Sequence, residues 1–113
     1  MDPMTLDTYR QRLLARQQQL VRRIFALEAD LQSTNTRETE YVERAQAEMP
    51  EEMLDKLDEQ SRREWEEIQA ALARMEAGTY GRCETCGHAL PPARLDTLPM
   101  ARRCVHCQEQ VER

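Results

Sequence analysis

All four cysteines of the chain fall in one stretch, "CETCGHALPPARLDTLPMARRCVHC", as Cys83-x2-Cys86, seventeen residues, then Cys104-x2-Cys107. Nothing else in the sequence restricts the possible folds as much. Two CxxC pairs at this separation are the pattern of a structural zinc site. Each pair turns back on itself so that both sulfurs face one ion, and Gly87 supplies the backbone freedom such a knuckle needs. Four thiolates at ~2.3 Å close a tetrahedron with no position left for water, so a structural ion is expected and chemistry at the metal is not. Between the pairs, "HALPPARLDTLPMARR" has too few apolar residues to fold unaided, so metal binding must supply its folding free energy. His88 and His106 read as surface residues beside a complete four-cysteine shell. The last residues, "VHCQEQVER", are expected to form a short helix.

The rest of the chain reads as charged helix. Apolar residues make up 40%, aromatics only 4% and charged residues 33%, which suits a narrow seam between helices rather than a thick core. From Leu6 to Leu31 two heptad series interleave: Leu6, Leu13, Leu20 and Leu27 in one, Arg10, Gln17, Ile24 and Leu31 in the other. Asp2 and Pro3 form a helix start, and Ser33, Thr34, Asn35 and Thr36 a stop. Asn35 with Glu38 resembles a capping box, so a short helix is expected at about 36–48. Pro50 then opens a main helix from about 50 to 77, closed by Gly78, the alternative being one continuous helix kinked at Pro50. Its seam is Leu54, Ser61, Ile68 and Met75 with Trp65 and Leu72. An antiparallel register in which paired numbers sum to 85 sets Leu31 against Leu54, Leu20 against Trp65, Ile24 against Ser61 and Gln17 against Ile68. Asp58 opposite Leu27 is a mismatch that Leu57 relieves. The expected fold is mainly α: an antiparallel coiled-coil hairpin over 1–77, with an acidic tip at about 34–52, and a four-cysteine zinc-finger module over 78–113.

Net charge is −5, and its distribution excludes some functions. Residues 34–60 carry nine acids against three bases, while residues 1–33 sum to +1 and the two remaining segments to zero. A duplex-binding protein presents a basic face, because phosphate neutralisation drives its affinity; direct sequence-specific DNA binding is therefore not expected. In the cysteine module Arg94, Arg102 and Arg103 are offset by Glu84, Asp96, Glu109 and Glu112, and Tyr80 is the one aromatic near enough to stack on a base. "MDPMTLDTYRQRLL" lacks the apolar run of a secretory leader, and no stretch approaches membrane-spanning length. A cytoplasmic, monomeric protein is expected, in a compartment where paired thiols hold metal rather than form disulfides.

"AGTYGRCETCGHALPPARLDTLPMARRCVHCQE" resembles the DksA/TraR zinc-finger family of bacterial transcription regulators. The resemblance rests on Gly78, Tyr80 and Gly81 ahead of the first pair, on both CxxC pairs, on Arg94-Leu95 and Leu98-Pro99 between them, and on Cys107-Gln108. It implies one structural Zn2+ held by Cys83, Cys86, Cys104 and Cys107, and a non-enzymatic protein that binds RNA polymerase through its secondary channel. The family's acidic tip motif falls on Glu40, Glu43 and Ala45, with glutamate where the family has aspartate. Basic positions through which members respond to ppGpp hold Glu67, Leu98 and Gln108, so weak or absent ppGpp synergy is expected. The competing reading is a zinc-stabilised coiled-coil adaptor for some other protein. A cleavage-promoting magnesium site at the tip and a dithiol redox sensor are more distant alternatives.

Overall fold

Asp2 starts the first helix as its position demands: its carboxylate accepts the Thr5 N–H at 2.8 Å and the Thr5 hydroxyl at 3.0 Å. Helix α1 then spans Pro3–Glu28 in the computed structural model, which describes residues 1–28 and 35–112. It is followed by α2 (Asn35–Ala47), α3 (Glu51–Leu54), α4 (Glu59–Ala77), α5 (Pro92–Thr97) and α6 (Val105–Glu112). Among the described residues there is no strand, only an isolated antiparallel bridge between Arg82 and Ala89. The mainly helical expectation holds, including the short helix before Pro50 and the one that starts within the second cysteine pair. The expected turn at Ser33 and Thr34 and the seam position of Leu31 lie outside the described residues, as do the side chains of Leu27 and Asn35.

The expected main helix from 50 to 77 is divided. Pro50 opens only α3, and α4 begins at Glu59. Asp58 is the physical reason. Its Oδ1 accepts the Ser61 N–H at 2.7 Å while its carbonyl accepts the Arg62 N–H at 2.9 Å, the geometry of an N-cap. A carboxylate used as a cap cannot also sit in an apolar seam; Leu57 is buried instead, and the mismatch at Asp58 disappears. Arg62 ties the α3 turn to α4 through Glu51, Asp55 at 2.7 Å and Glu66 at 3.7 Å. At its other end α4 stops at Gly78, whose φ of 78° reverses the chain so that the N–H groups of Thr79 and Tyr80 reach the Arg74 carbonyl at 2.9 and 3.2 Å.

The chain forms two compact units, residues 14–66 and residues 1–13 with 67–113. Within the first, α1 has two antiparallel neighbours. Helix α4 meets it through Arg16–Glu64, two bonds of 2.5 and 2.9 Å, and through Arg23 donating to the Ser61 hydroxyl at 3.0 Å. That places Arg23 beside Ser61, one residue from the expected pairing. Helix α2 lies back along α1 through Gln46–Gln17 at 3.2 Å, Arg22–Glu38 at 3.2 Å and a Phe25–Tyr41 edge-on contact at 4.9 Å. The second neighbour widens the buried stripe of α1 to Gln17, Leu20, Val21 and Ile24, against Val42 and Ala45 of α2 and Leu57, Ser61 and Trp65. Val21, outside both heptad series, is buried for this reason.

The second unit buries Tyr9 and Leu13 of α1, Ile68, Ala71 and Met75 of α4, and Tyr80, Leu90, Leu95 and Ala101 beyond them. Each fully buried aliphatic side chain here contributes about 1.5–3 kcal/mol. Tyr80 donates to the Pro99 carbonyl at 2.6 Å, and its ring lies 6.0 Å from that of Tyr9.

Candidate metal centre and acidic helix

Each cysteine pair builds its own knuckle from local backbone geometry. The Cys86 N–H points at Cys83 Sγ at 3.5 Å, and the Cys107 N–H at Cys104 Sγ, also at 3.5 Å. Gly87 has φ 79° and bonds its N–H to the Cys83 carbonyl at 2.9 Å, so the first knuckle closes through the left-handed conformation that glycine adopts freely. The Cys83 N–H reaches the His88 carbonyl at 2.9 Å, and the Glu84 N–H joins the two knuckles through the Arg102 carbonyl at 2.8 Å.

The four Sγ atoms lie within 4.8 Å of one another, and Cys86 and Cys104 approach to 4.0 Å without a disulfide. A zinc ion ~2.3 Å from each sulfur requires S···S separations of roughly 3.8 Å, so small adjustments bring all four onto one ion. Cys83 and Cys107 are buried, Cys104 is half-buried and Cys86 is exposed. N–H groups aimed at sulfur, that of Cys86 foremost, hold the Cys83 thiol down to about 5. The Cys107 thiol is pushed up to about 12, first by its bond with Cys104, as expected where four sulfurs share protons in one small space. His88 and His106 are exposed and outside the cluster.

The arginines around the cluster are occupied. Glu84 takes Arg103 at 2.7 Å and Arg102 at 4.0 Å; Arg94 donates to the Arg103 carbonyl at 3.4 Å, and Arg74 to the Met100 and Ala101 carbonyls at 3.3 and 3.4 Å. These contacts organise the loop between the cysteine pairs. A link between the first helix and this loop escaped sequence reasoning: Tyr9 donates to Asp96 at 2.6 Å and Arg12 to the Asp96 carbonyl at 2.9 Å. The only sequence signal was that Tyr9 falls four residues before Leu13, on the face that becomes buried.

Glu40 and Glu43 stand one turn apart on α2, both exposed, on the side opposite Val42 and Ala45. Ala45 is 2% exposed and packs inward, so the three residues expected at the tip divide into two outward carboxylates and one buried methyl. Leu98 is exposed, while Glu67 and Gln108 are half-buried.

A helical chain with a closed four-sulfur cluster is a zinc-finger protein of the structural kind. Residues 78–113 match the prokaryotic dksA/traR C4-type zinc finger, and residues 9–75 match the DnaK suppressor protein-like N-terminal domain. The chain belongs to the DksA/TraR family, whose members are transcription regulators and not enzymes, and its cysteine cluster is a zinc-binding site. It is 46% identical over 63 residues to an uncharacterized protein of Aquifex aeolicus, a match covering 56% of this chain and less than half, 43%, of that protein. It is 30% identical over all 113 of its residues to the RNA polymerase-binding transcription factor DksA of Caulobacter vibrioides, covering 80% of it. The solution structure of the DnaK suppressor protein from Agrobacterium tumefaciens matches with a TM-score of 0.70 at 30% identity, covering 96% of both chains.

Proposed function

We propose that this protein binds RNA polymerase as a monomer through the secondary channel and modulates initiation, with Glu40 and Glu43 as the acting groups. One zinc ion, held by Cys83, Cys86, Cys104 and Cys107, organises the C-terminal module and has no chemical role. The observation that carries this reading is the alignment, over all of this chain and 80% of the relative, with a protein named as an RNA polymerase-binding transcription factor. Two exposed carboxylates one turn apart on α2 support it: such a pair can act on a bound magnesium ion or on basic elements of a partner. Ala45 seats the helix that presents them. With Glu67, Leu98 and Gln108 in place of basic side chains, ppGpp gains no phosphate contacts at those positions, and strong synergy is not expected.

The test is binding of the zinc-loaded protein to bacterial core RNA polymerase in competition with a known secondary-channel factor. Mutually exclusive binding is expected. Glu43→Gln should then retain helicity and zinc content while losing much of its effect on initiation. An absence of binding at micromolar concentration would refute the polymerase reading, and a Glu43→Gln protein as active as wild type would refute the role of the acidic pair.

A further inference from the structure

Between the end of α2 and α3 the chain leaves a groove of about 580 Å³, a size typical of clefts that accept ligands. It arises from local chemistry. Tyr41, Ala45 and Glu48 recur at intervals of four and three on one face of α2, and Pro50, held extended at φ −64° and ψ 149°, carries the chain away before α3 begins. The small side chain of Ala45 leaves the floor hollow. Met49 and Met53, both half-buried, complete an apolar lining whose flexible thioethers adapt to different shapes.

The rim has the opposite character. Glu48 and Glu51 are exposed at its edge with Arg44 as the one basic group lining it, and residues 40–55 as a whole hold six carboxylates against that arginine, a local charge of −5. The groove's charged groups all stand at the exposed rim, and the floor lacks the convergent buried polar groups that orient a small molecule. Nucleic acid and acidic peptides are repelled by such a rim, whereas a basic protein segment is drawn to it.

We infer that this groove is a docking site for a protein segment that inserts one bulky apolar side chain and flanks it with lysine or arginine. The inference rests on the proposed function, in which that segment belongs to RNA polymerase. The apolar anchor desolvates against Tyr41, Met49 and Met53, while the flanking cations meet the acidic rim and set register and association rate.

The experiment measures binding of the zinc-loaded full chain to core polymerase over a range of salt concentrations. Met53→Lys should weaken binding about tenfold or more, as loss of an interface anchor does, while Met53→Leu binds as wild type does. Glu48→Lys, an exposed change that spares the core, should weaken binding and flatten its salt dependence; it decides the matter even if Met53→Lys loses helicity. A photo-crosslinking amino acid at position 53 should capture a polymerase segment containing an apolar residue beside lysine or arginine. Wild-type binding left unchanged by Met53→Lys and Glu48→Lys would overturn the groove and leave the polymerase reading standing. Capture of a second copy of this chain, or of a segment without basic residues, would also overturn it. Failure of the wild type to bind overturns both.

Discussion

Replacing Gln17 with leucine should stabilise the protein, although it deletes a hydrogen bond from the interior. Gln17 is 1% exposed, and its side-chain oxygen accepts from the Gln46 amide at 3.2 Å. A hydrogen bond of this kind contributes a net ~0.5–1.5 kcal/mol. A leucine buried at the same site gains ~1.5–3 kcal/mol by leaving water. Gln46 is half-exposed, so its freed amide turns to solvent instead of remaining buried and unpaired. The balance is a gain of about 1 kcal/mol, or a urea midpoint higher by roughly 0.5 M for a small domain. Trp65, the chain's one tryptophan, is buried in the same unit and reports the transition by fluorescence. Gln46→Leu should act in the opposite direction, losing about 1–3 kcal/mol, because it strands the buried side-chain oxygen of Gln17. The gain from Gln17→Leu should come with faster amide exchange in α2, since a buried polar pair fixes register at some expense of stability. A lower midpoint for Gln17→Leu, or the same sign for both variants, would refute this account of the pair.

Three further outcomes are expected. The Ser61 N–H, foremost, holds the Asp58 carboxyl below its ordinary 3.8, so the cap stabilises the fold above that pH and its contribution is lost as pH falls through the lower folded-state value; Asp58→Ala should therefore unfold at lower urea than wild type at neutral pH, with the two converging in acid. Chelation of zinc should remove the circular-dichroism signal of α5 and α6 and open the loop between the cysteine pairs to protease, and Cys83→Ser should do the same with metal content well below one ion per chain. Gly87→Ala should lower the thermal midpoint through strain alone, about 1–2 kcal/mol for a left-handed alanine, because nothing lies within 4 Å of the added methyl.

The zinc cluster was legible because its information is local. Two short turns, each with sulfur ligands three residues apart, specify a metal site wherever the rest of the chain goes, and Gly87 adopts the positive φ expected of it. Helix α1 and its Asp2 cap, α2, the end of α4 at Gly78 and the seam residues Leu13, Leu20, Ile24, Ser61, Trp65, Ile68 and Met75 were legible for a related reason. Periodicity and capping chemistry act over one or two turns. The same logic misjudged Asp58 when it was counted by heptad position; counted as a cap, it announces the start of α4.

Relations between distant segments were not legible. That α2 folds back on α1, burying Val21 and Ala45 and giving Gln17 an amide partner 29 positions away, depends on which of several apolar faces meet. Periodicity names the faces but not their partners. The same is true of Tyr9 on Asp96, 87 positions apart, and of the groove beside Pro50, a space defined by residues that do not fill it. Local pattern thus determines the metal ligands, most of the helices and the acidic character of the α2 segment. Tertiary packing alone decides which of those acids face outward and which neighbours stand beside them, because burial is a property of three-dimensional contact and not of the chain.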